Sequence, residues 1–394
     1  MWRRTLAATA ATIAALALTA GTGMASADDT QQVPVVAAEG AEVVSDQYIV
    51  VMRPGANAVA NRIAAAADAR RNGAQVLNEY SAALQGFAAK LPQRALDALR
   101  GNQNIEYIEA DQIMRANVTQ SPVTWGLDRI DQRTLPLSNS YTYTVTGAGV
   151  TAYIIDTGVR FSHNEFGGRA VSGFDAIDGG SADDCNGHGT HVAGTVGGTL
   201  YGVAKAVNVV GVRVLNCRGS GTNSQVIAGV DWVTGDHSAG ERAVANMSLG
   251  GSASNALDNA VRASIADGVT YAIAAGNSNR SACNQSPARV AEAITVGATT
   301  KTDARSSFSN KGTCLDMFAP GSSIKSAWKT NDSATNVISG TSMAAPHVAG
   351  AAALQLQTAA LSPMALRDLL VSQATVGAVG NAGKGSPNRL LFTP

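Results

Sequence analysis

The sequence predicts an α/β protein with a doubly wound, mainly parallel sheet and helices on both faces, preceded by a small α+β domain. Short apolar runs alternate with helical segments over the C-terminal two thirds of the 394 residues. The N-terminal part instead has a β-α-β-β-α-β order, the split βαβ pattern. With 45% hydrophobic and 15% charged residues, the chain has enough apolar surface to fold. The 29 basic and 29 acidic residues balance, so we expect no nucleic-acid partner.

Residues 1–27 have the three parts of a secretory signal peptide. Arg3 and Arg4 precede an apolar run that begins at Leu6, and small residues end in an Ala-Ser-Ala pattern at Ala27. A membrane anchor is the alternative, but the run is diluted with alanine and barely long enough to span hydrocarbon. We therefore expect export to the extracellular space and no membrane association after signal removal.

Residues 28–116 read as a separate small domain. The pattern predicts strands at 47–52, 75–80, 86–91 and 104–110 and helices at 56–71 and 92–100. In the first helix, Val59 and Ile63 form an apolar side together with Ala66 or Ala67. This arrangement is common and by itself indicates no function. The polar, proline-bearing stretch 112–126 predicts an exposed linker.

Residues 117–394 read as one long α/β unit. The apolar runs predict buried strands at 150–155, 207–214, 243–248, 270–274 and 293–296, and helices at 191–197, 223–237, 254–267 and 342–356. In such sheets, ligands bind outside the carboxyl ends of the strands. Functional residues are therefore expected just after strands.

Three motifs supply an acid, a base and a nucleophile. Asp156 ends the first buried strand, His188 lies in NGHGTH, and Ser342 lies in GTSMAAPH at the start of the last long helix. A serine hydroxyl needs a histidine to take its proton, and that histidine needs a carboxylate to fix its tautomer. Asp156 also has an ordinary reading as a turn residue or helix cap, and Ser342 as a helix cap. His191 is three residues beyond His188, but no third ligand follows, so we predict no zinc site.

Asn277, in AAGN just past a strand, is a candidate for stabilising an oxyanion. A tetrahedral intermediate needs preorganised hydrogen-bond donors, and the Asn277 side-chain amide and the backbone N–H of Ser342 could supply them. The alternative reading is a turn residue before Ser278.

The four cysteines lie at positions 185, 217, 283 and 314, and an oxidising compartment would let them pair. Four cysteines allow three connectivities. Sequential pairing would close two loops of roughly 30 residues, each contributing about 3–4 kcal/mol to stability. Four free, buried thiols are the alternative.

Five motifs together resemble the subtilisin-like serine proteases: DTG at 156, NGHGTHVAGTVGG at 186–198, SLGG at 248, AAGN at 274 and GTSMAAPHVAG at 340–350. The resemblance covers residues 117–394. The stretch WGLDRIDQRTLPL at 125–137 and the cysteine placement are most similar to the proteinase K and aqualysin branch. Residues 28–116 resemble the inhibitory propeptide of that family.

The resemblance implies a secreted, monomeric serine endopeptidase made as a self-processing zymogen and acting through an acyl-enzyme. Asp156, His188 and Ser342 match the triad, and Asn277 matches the oxyanion donor. Polypeptides are the implied substrates, with a preference for apolar or aromatic residues before the cut, and the propeptide is the implied intramolecular inhibitor. The implied disulfides are Cys185–Cys217 and Cys283–Cys314. The implied groove residues are Gly219, Ser220, Gly221, Ser248, Leu249, Gly250, Gly251, Ala274, Ala275 and Gly276.

Structural calcium is implied at two places. Asp316 with the carbonyls of Ala291 and Ala293 matches one site, and Asp128, Asp131 and Gln132 resemble a second; ordinary surface acids are the alternative. Maturation is expected between residues 116 and 117. Two other functions stay open: an esterase or polyester depolymerase using the same acyl-enzyme chemistry, and an exported binding module without activity.

Overall fold

The computed structural model describes residues 32–37, 43–112 and 118–393. The expected signal peptide and the expected cleavage point between residues 116 and 117 lie outside these ranges. The chain divides into two compact units, Met1–Ile113 and Met114–Pro394.

The N-terminal unit is a five-stranded sheet with two helices. Its elements are β1 (Val35–Val36), β2 (Val43–Met52), α1 (Ala58–Arg71), β3 (Gln75–Tyr80), β4 (Gly86–Lys90), α2 (Gln93–Arg100) and β5 (Ile105–Gln112). The strand order is β1-β5-β2-β4-β3, and β2 pairs antiparallel with both β4 and β5. The predicted split βαβ domain is confirmed.

The face that α1 buries differs from the predicted one. Of the predicted side, Val59 and Ile63 are half exposed, at 50% and 54%, whereas Ala66 is fully buried together with Ala65 and Ala69. Helix periodicity places Ala65 and Ala69 on a different side from the two larger residues, and the alanine side lets the helix approach the sheet closely. Because alanine dominates the helix, the position of its few large residues was a misleading guide to the core.

The C-terminal unit is built on a nine-stranded sheet. Its elements in chain order are β6 (Val118–Gln120), α3 (Trp125–Ile130), β7 (Tyr141–Tyr143), β8 (Thr151–Asp156), β9 (Ala170–Asp175), α4 (His188–Gly197), β10 (Asn208–Arg213), α5 (Asn223–Asp236), β11 (Ala243–Met247), β12 (Gly251–Ser252), α6 (Asn255–Asp267), β13 (Thr270–Ala274), β14 (Gln285–Ser286), β15 (Ile294–Thr299), β16 (Met317–Pro320), β17 (Ile324–Ala327), β18 (Thr335–Ile338), α7 (Thr341–Thr358), α8 (Pro363–Gln373), β19 (Thr375–Val376) and β20 (Arg389–Leu390).

The large sheet has the order β19-β20-β16-β15-β13-β11-β8-β10-β9 and is parallel except for the β19–β20 pair. Alternate residues of the central strand β8 enter different cores. Ile154 packs into a cluster that includes α4 and α7, whereas Tyr153 and Ile155 pack into one that includes α5 and α6. Helices therefore cover both faces, and the predicted doubly wound fold is confirmed.

Two local expectations need correction. The stretch 112–126 is not simply a linker, because Val118–Gln120 pairs antiparallel with Tyr141–Tyr143 and a helix begins at Trp125. The helix predicted from residue 191 begins at His188 instead, since Gly187 supplies the turn that starts it.

Two disulfides join the cysteines of this unit in sequential order. Cys185 is bonded to Cys217 and Cys283 to Cys314, with Cα–Cα distances of 4.9 and 5.4 Å. No helix in the described ranges is both long enough and apolar enough to cross a membrane.

Candidate active site

Asp156 is the last residue of β8 and is fully buried. Its Oδ1 accepts hydrogen bonds from the backbone N–H of Thr157 at 2.7 Å and from His188 Nδ1 at 2.8 Å. Its Oδ2 is buried and has no hydrogen-bond partner among the described residues. The carboxylate is thus placed to fix the tautomer and the orientation of the imidazole.

His188 is the first residue of α4, at the N-terminal end of the helix. Gly187 precedes it with φ of 113°, and a Cβ there would lie 2.6 Å from the ring of Trp328, so only glycine fits. Burial lowers the pKa of His188, but the charge and hydrogen bond of Asp156 outweigh this effect and raise the pKa above its usual value. The side chain is still 25% exposed, so one edge of the ring faces the groove.

Ser342 lies in the first turn of α7, where backbone N–H groups have no intrahelical partner. Its Oγ donates a hydrogen bond to the carbonyl of Ser248 at 3.1 Å, and Ser248 Oγ donates in return to the Ser342 carbonyl at 2.7 Å. The hydroxyl is therefore held by the neighbouring edge segment, and it must leave that carbonyl before a base can take its proton.

The side-chain amide of Asn277 has a fixed orientation. Its Oδ1 accepts from the backbone N–H of Thr341 at 2.8 Å and from Thr341 Oγ1 at 3.0 Å. The same hydroxyl accepts from the N–H of Gly276 at 3.0 Å. Since a backbone N–H can only donate, the oxygen of the amide must face Thr341, and Nδ2 is turned the other way as a donor.

His188, Ser342 and Asn277 line one groove of about 660 Å³. The groove includes nine of the ten residues that the sequence resemblance assigned to it: Gly219, Ser220, Gly221, Ser248, Leu249, Gly250, Gly251, Ala274 and Gly276. Ala275 does not line it, because along a strand successive side chains point to opposite faces and Ala275 is fully buried in the core on the other side.

Other groove residues were not anticipated. They are Thr157, Asn186, Leu215, Arg218, Thr222, Asn223, Val226, Leu257, Ser278, Gln285 and Thr341. Arg218 could have been found, since it lies directly beside the predicted Gly219–Gly221 segment. Gln285 could not, because its proximity depends on the fold: a Cβ on Gly276 would lie 2.0 Å from its Oε1.

The edges of the groove are formed largely by backbone. Gly219 has φ of 76°, and a Cβ on Gly221 would lie 2.2 Å from the carbonyl oxygen of Val214. Side chains are thus excluded at Gly221 by a close backbone approach. An extended peptide could lie along such an edge and use main-chain hydrogen bonds.

The other two histidines near the site are neutral at physiological pH. Burial lowers the pKa of His191 and of His347 to about 4. His191 Nε2 contacts the carbonyl of Ile324, and His347 Nδ1 contacts that of Met343. Both pack inside the unit, and neither lines the groove.

Within the described part of the chain, the second candidate calcium site offers one unpaired oxygen that a cation could satisfy. Asp131 Oδ1 is buried and without a hydrogen-bond partner among the described residues, and burial raises the pKa of Asp131 to about 6, aided by the charge of Asp128. Asp128 and Gln132 both accept from the backbone N–H of Ser138. These hard oxygen donors are the kind that calcium prefers.

The first candidate site fits less well. Asp316 Oδ2 accepts from the N–H of Thr295, and the Ala291 carbonyl accepts from Arg367 Nη1 at 2.7 Å. The Ala291 carbonyl, one of the expected calcium ligands, is thus already hydrogen-bonded to the Arg367 guanidinium. Ala293, which would supply another carbonyl, is a buried residue. Within the described ranges, no group of three or more His, Cys, Asp or Glu side chains is placed to hold a metal.

Comparison with known proteins agrees with this geometry. The sequence profile of the Subtilase family matches residues 147–390. The chain is a subtilase. The profile of Peptidase inhibitor I9 matches residues 47–117, so this subtilase is a serine-type peptidase with an I9 propeptide.

Relatives support the assignment over most of the chain. An extracellular serine proteinase of Thermus sp. (strain Rt41A) is 55% identical, with 96% of this chain and 97% of that protein covered. Alkaline serine exoprotease A of Vibrio alginolyticus is 56% identical over 81% of this chain and 60% of its own length. A crystal structure of a cold-adapted subtilisin-like serine proteinase covers 70% of this chain and 99% of its own, with 59% identity and a TM-score of 0.67.

Proposed function

We propose that this subtilase is a secreted endopeptidase, made as a self-processing zymogen, that cleaves peptide bonds through an acyl-enzyme on Ser342. The observation that carries the proposal is the buried Asp156–His188 hydrogen bond in a groove that also holds Ser342 and the Asn277 amide. The relative from Thermus sp. is named an extracellular serine proteinase, which supports secretion.

In the proposed mechanism, His188 is the general base. Asp156 accepts from Nδ1–H, which leaves Nε2 as the basic nitrogen and stabilises the imidazolium once the proton of Ser342 arrives. Asp156 raises the pKa of His188 by its charge and its hydrogen bond, which makes the neutral ring a stronger base. His188 then returns the proton to the leaving amine, and a water molecule releases the acyl group by the same route.

Substrate binding frees the nucleophile in this scheme. Ser342 Oγ donates to the Ser248 carbonyl at 3.1 Å. A peptide N–H that pairs with the same edge segment competes for that carbonyl, so the serine hydroxyl can rotate toward His188. Activation of Ser342 would therefore depend on an extended backbone in the groove, which favours peptides over polyesters lacking N–H donors.

The oxyanion that forms on the scissile carbonyl would be bound by Asn277 Nδ2 and the Ser342 N–H. Because Thr341 holds the amide oxygen of Asn277, the donor is in position before the reaction and needs no reorganisation. Replacing Asn277 by Leu should lower kcat about 10²–10³-fold with a smaller change in KM, a magnitude that comes from another subtilase. A loss in KM alone would assign Asn277 to ground-state binding instead.

We further propose that the I9 unit is an intramolecular inhibitor, that cleavage between residues 116 and 117 releases the mature enzyme, and that calcium binds at Asp128, Asp131 and Gln132. When bound, the ion would neutralise the buried Asp131 charge and fix the segment after α3. The small walls at Ala274 and Gly276 favour apolar or aromatic residues before the cut, which peptide-library profiling would test.

The deciding experiment compares Ser342→Ala with Ser278→Ala in a protease-free host. Ser278 lines the same groove, but its contact with Asn310 uses only its backbone N–H, so it is a matched control. We expect the Ser342 variant to remain unprocessed and the control to mature and digest casein. Maturation and caseinolysis by the Ser342 variant would refute the proposal, whereas N-terminal sequencing of the secreted control would locate the maturation point.

A further inference from the structure

We propose that Asp184 is a positioning residue for the catalytic pair, a role that rests on the proposed function of Asp156 and His188. Its carboxylate ties the turn that follows Asp156 to the loop and first helical turn that carry His188. Sequence reasoning did not identify it, because Asp184 lies outside the matched NGHGTH motif.

A single carboxylate accepts five hydrogen bonds. Oδ1 accepts from Thr157 Oγ1 at 2.9 Å, from Asn186 N at 2.9 Å and from Gly187 N at 2.8 Å. Oδ2 accepts from the backbone N–H of Thr190 at 2.9 Å and from its hydroxyl at 2.6 Å. Charge-assisted bonds of this kind are stronger than neutral ones, so Asp184 fixes the backbone on both sides of His188.

The same carboxylate reaches the Asp156 side of the pair through Thr157. Thr157 Oγ1 donates to Asp184 and accepts from the backbone N–H of Gly189 at 2.9 Å. The two loops touch directly, since a Cβ on Gly189 would lie 2.1 Å from the carbonyl oxygen of Gly158. The segments that carry Asp156 and His188 are therefore also joined by the hydrogen bonds of Thr157 with Asp184 and Gly189.

The loop is also held from its outer side. Cys185 follows Asp184 and is bonded to Cys217, whose carbonyl accepts from Asn186 Nδ2 at 3.0 Å. The disulfide keeps the loop closed, but it constrains neither Thr157 nor Thr190. The orientation of the catalytic pair therefore depends on the carboxylate rather than on the covalent link.

The charge of Asp184 also acts on His188. Asp156 and Asp184 are the two carboxylates that raise the pKa of His188, against the burial that lowers it. His191 interacts electrostatically with His188 and is neutral because its pKa is about 4, and the exposed Arg218 lines the same groove. Removing the negative charge of Asp184 therefore lowers the pH at which His188 becomes protonated.

The test replaces Asp184 by Asn in the full-length zymogen. Asparagine retains one acceptor oxygen for the Oδ1 partners, but its NH₂ group cannot accept from Thr190. We expect kcat to fall about 10-fold or more with KM nearly unchanged, because a misplacement of about 1 Å can cost about 10²-fold in rate. The acidic limb of the kcat/KM profile should move to lower pH.

Asp183→Asn is the matched control. It removes the same charge at the preceding residue, whose side chain is exposed. A purely structural role for Asp184 would lower thermal stability and leave the pH profile where the control has it, and that result would overturn the proposal. Equal kcat in the two variants would overturn it as well. Because the Asp183 control must be active in any of these outcomes, failure of the proposed function is recognised separately.

If the Asp184 variant does not mature, Thr157→Val and Thr157→Ser decide the question. Valine removes the hydroxyl that joins the two loops, and serine restores it without changing any charge. We expect a lower kcat with valine, recovery with serine, and an unshifted pH profile in both. Full activity of the valine variant would refute the positioning role.

Discussion

The buried ion pair between Arg129 and Asp303 gives a sharp prediction about stability. Arg129 is fully buried, and its Nε and Nη2 donate to the two oxygens of Asp303 at 2.7 and 3.1 Å. Its Nη1 and Nη2 also reach the carbonyls of Gln132 and Arg133. Each of the three guanidinium nitrogens of Arg129 therefore donates at least one hydrogen bond. Removing the carboxylate charge of Asp303 would leave the buried positive charge of Arg129 without a counter-charge.

Asp303→Asn is the suitable change because it isolates the charge. Asp303 has φ of 62°, a conformation that asparagine tolerates, so no backbone strain is added. Breaking a buried pair costs about 3–5 kcal/mol. Asparagine keeps one acceptor, so we expect the lower figure of about 3 kcal/mol. At about 2–4 °C per kcal/mol for a unit of this size, Tm should fall by about 6–12 °C.

Calorimetry of the mature enzyme, with its active serine covalently blocked against autolysis, would measure the shift. The matched control is Glu292→Gln, which breaks an exposed pair with Arg262 whose side chains are 41% and 40% exposed and whose atoms are 3.2 Å apart. Exposed pairs contribute at most about 1 kcal/mol. If Asp303→Asn lowered Tm no more than this control, the reasoning from burial would be wrong.

Three further predictions concern the disulfide, the calcium site and the general base. Replacing Cys185 and Cys217 together by Ser should lower the free energy of unfolding by about 3–4 kcal/mol in a denaturant titration, since the bond closes a loop of 32 residues; a loss below about 1 kcal/mol would contradict this. Calcium at about 100 times its Kd should stabilise the mature enzyme by about 2.7 kcal/mol, and Asp131→Asn should abolish the part due to this site; an unchanged calcium effect on Tm would exclude Asp131 as a ligand. Because Asp156 raises the pKa of His188, kcat/KM should fall as the pH is lowered through an apparent pKa above that of a free histidine, and an acidic limb below the pKa of a free histidine would count against His188 as the base.

The sequence predicted the positions of the candidate site residues best where a reactive residue type coincided with the end of a predicted strand or the start of a predicted helix. Asp156 and Asn277 could be placed because each follows an apolar strand of the same parallel sheet, and His188 and Ser342 because each begins a helix beside it. The edge strand Ala170–Asp175 escaped prediction, since Ser172 and Gly173 interrupt its apolar residues.

Contacts between distant segments could not be predicted from the sequence. Gln285 reaches the groove only because β14 pairs with β12, and Asp184 acts on Thr157 across 27 positions. The buried side of α1 was predicted wrongly because alanine occurs both in cores and at surfaces. A helix made mostly of alanine therefore gives little indication of which side faces the sheet. Contacts of this kind depend on which helices and strands pack together, and the packing is determined by the whole chain rather than by a local pattern.

The glycine-lined edges of the groove have a consequence for how this enzyme could diversify. A main-chain surface treats most peptides alike, and at Gly221 the neighbouring carbonyl of Val214 leaves no space for a side chain that would change this. In the proposed mode of peptide binding, new selectivity would arise at positions where side chains line the groove, above all Arg218, Leu249 and Gln285. Variation can accumulate there while the cleavage machinery stays untouched.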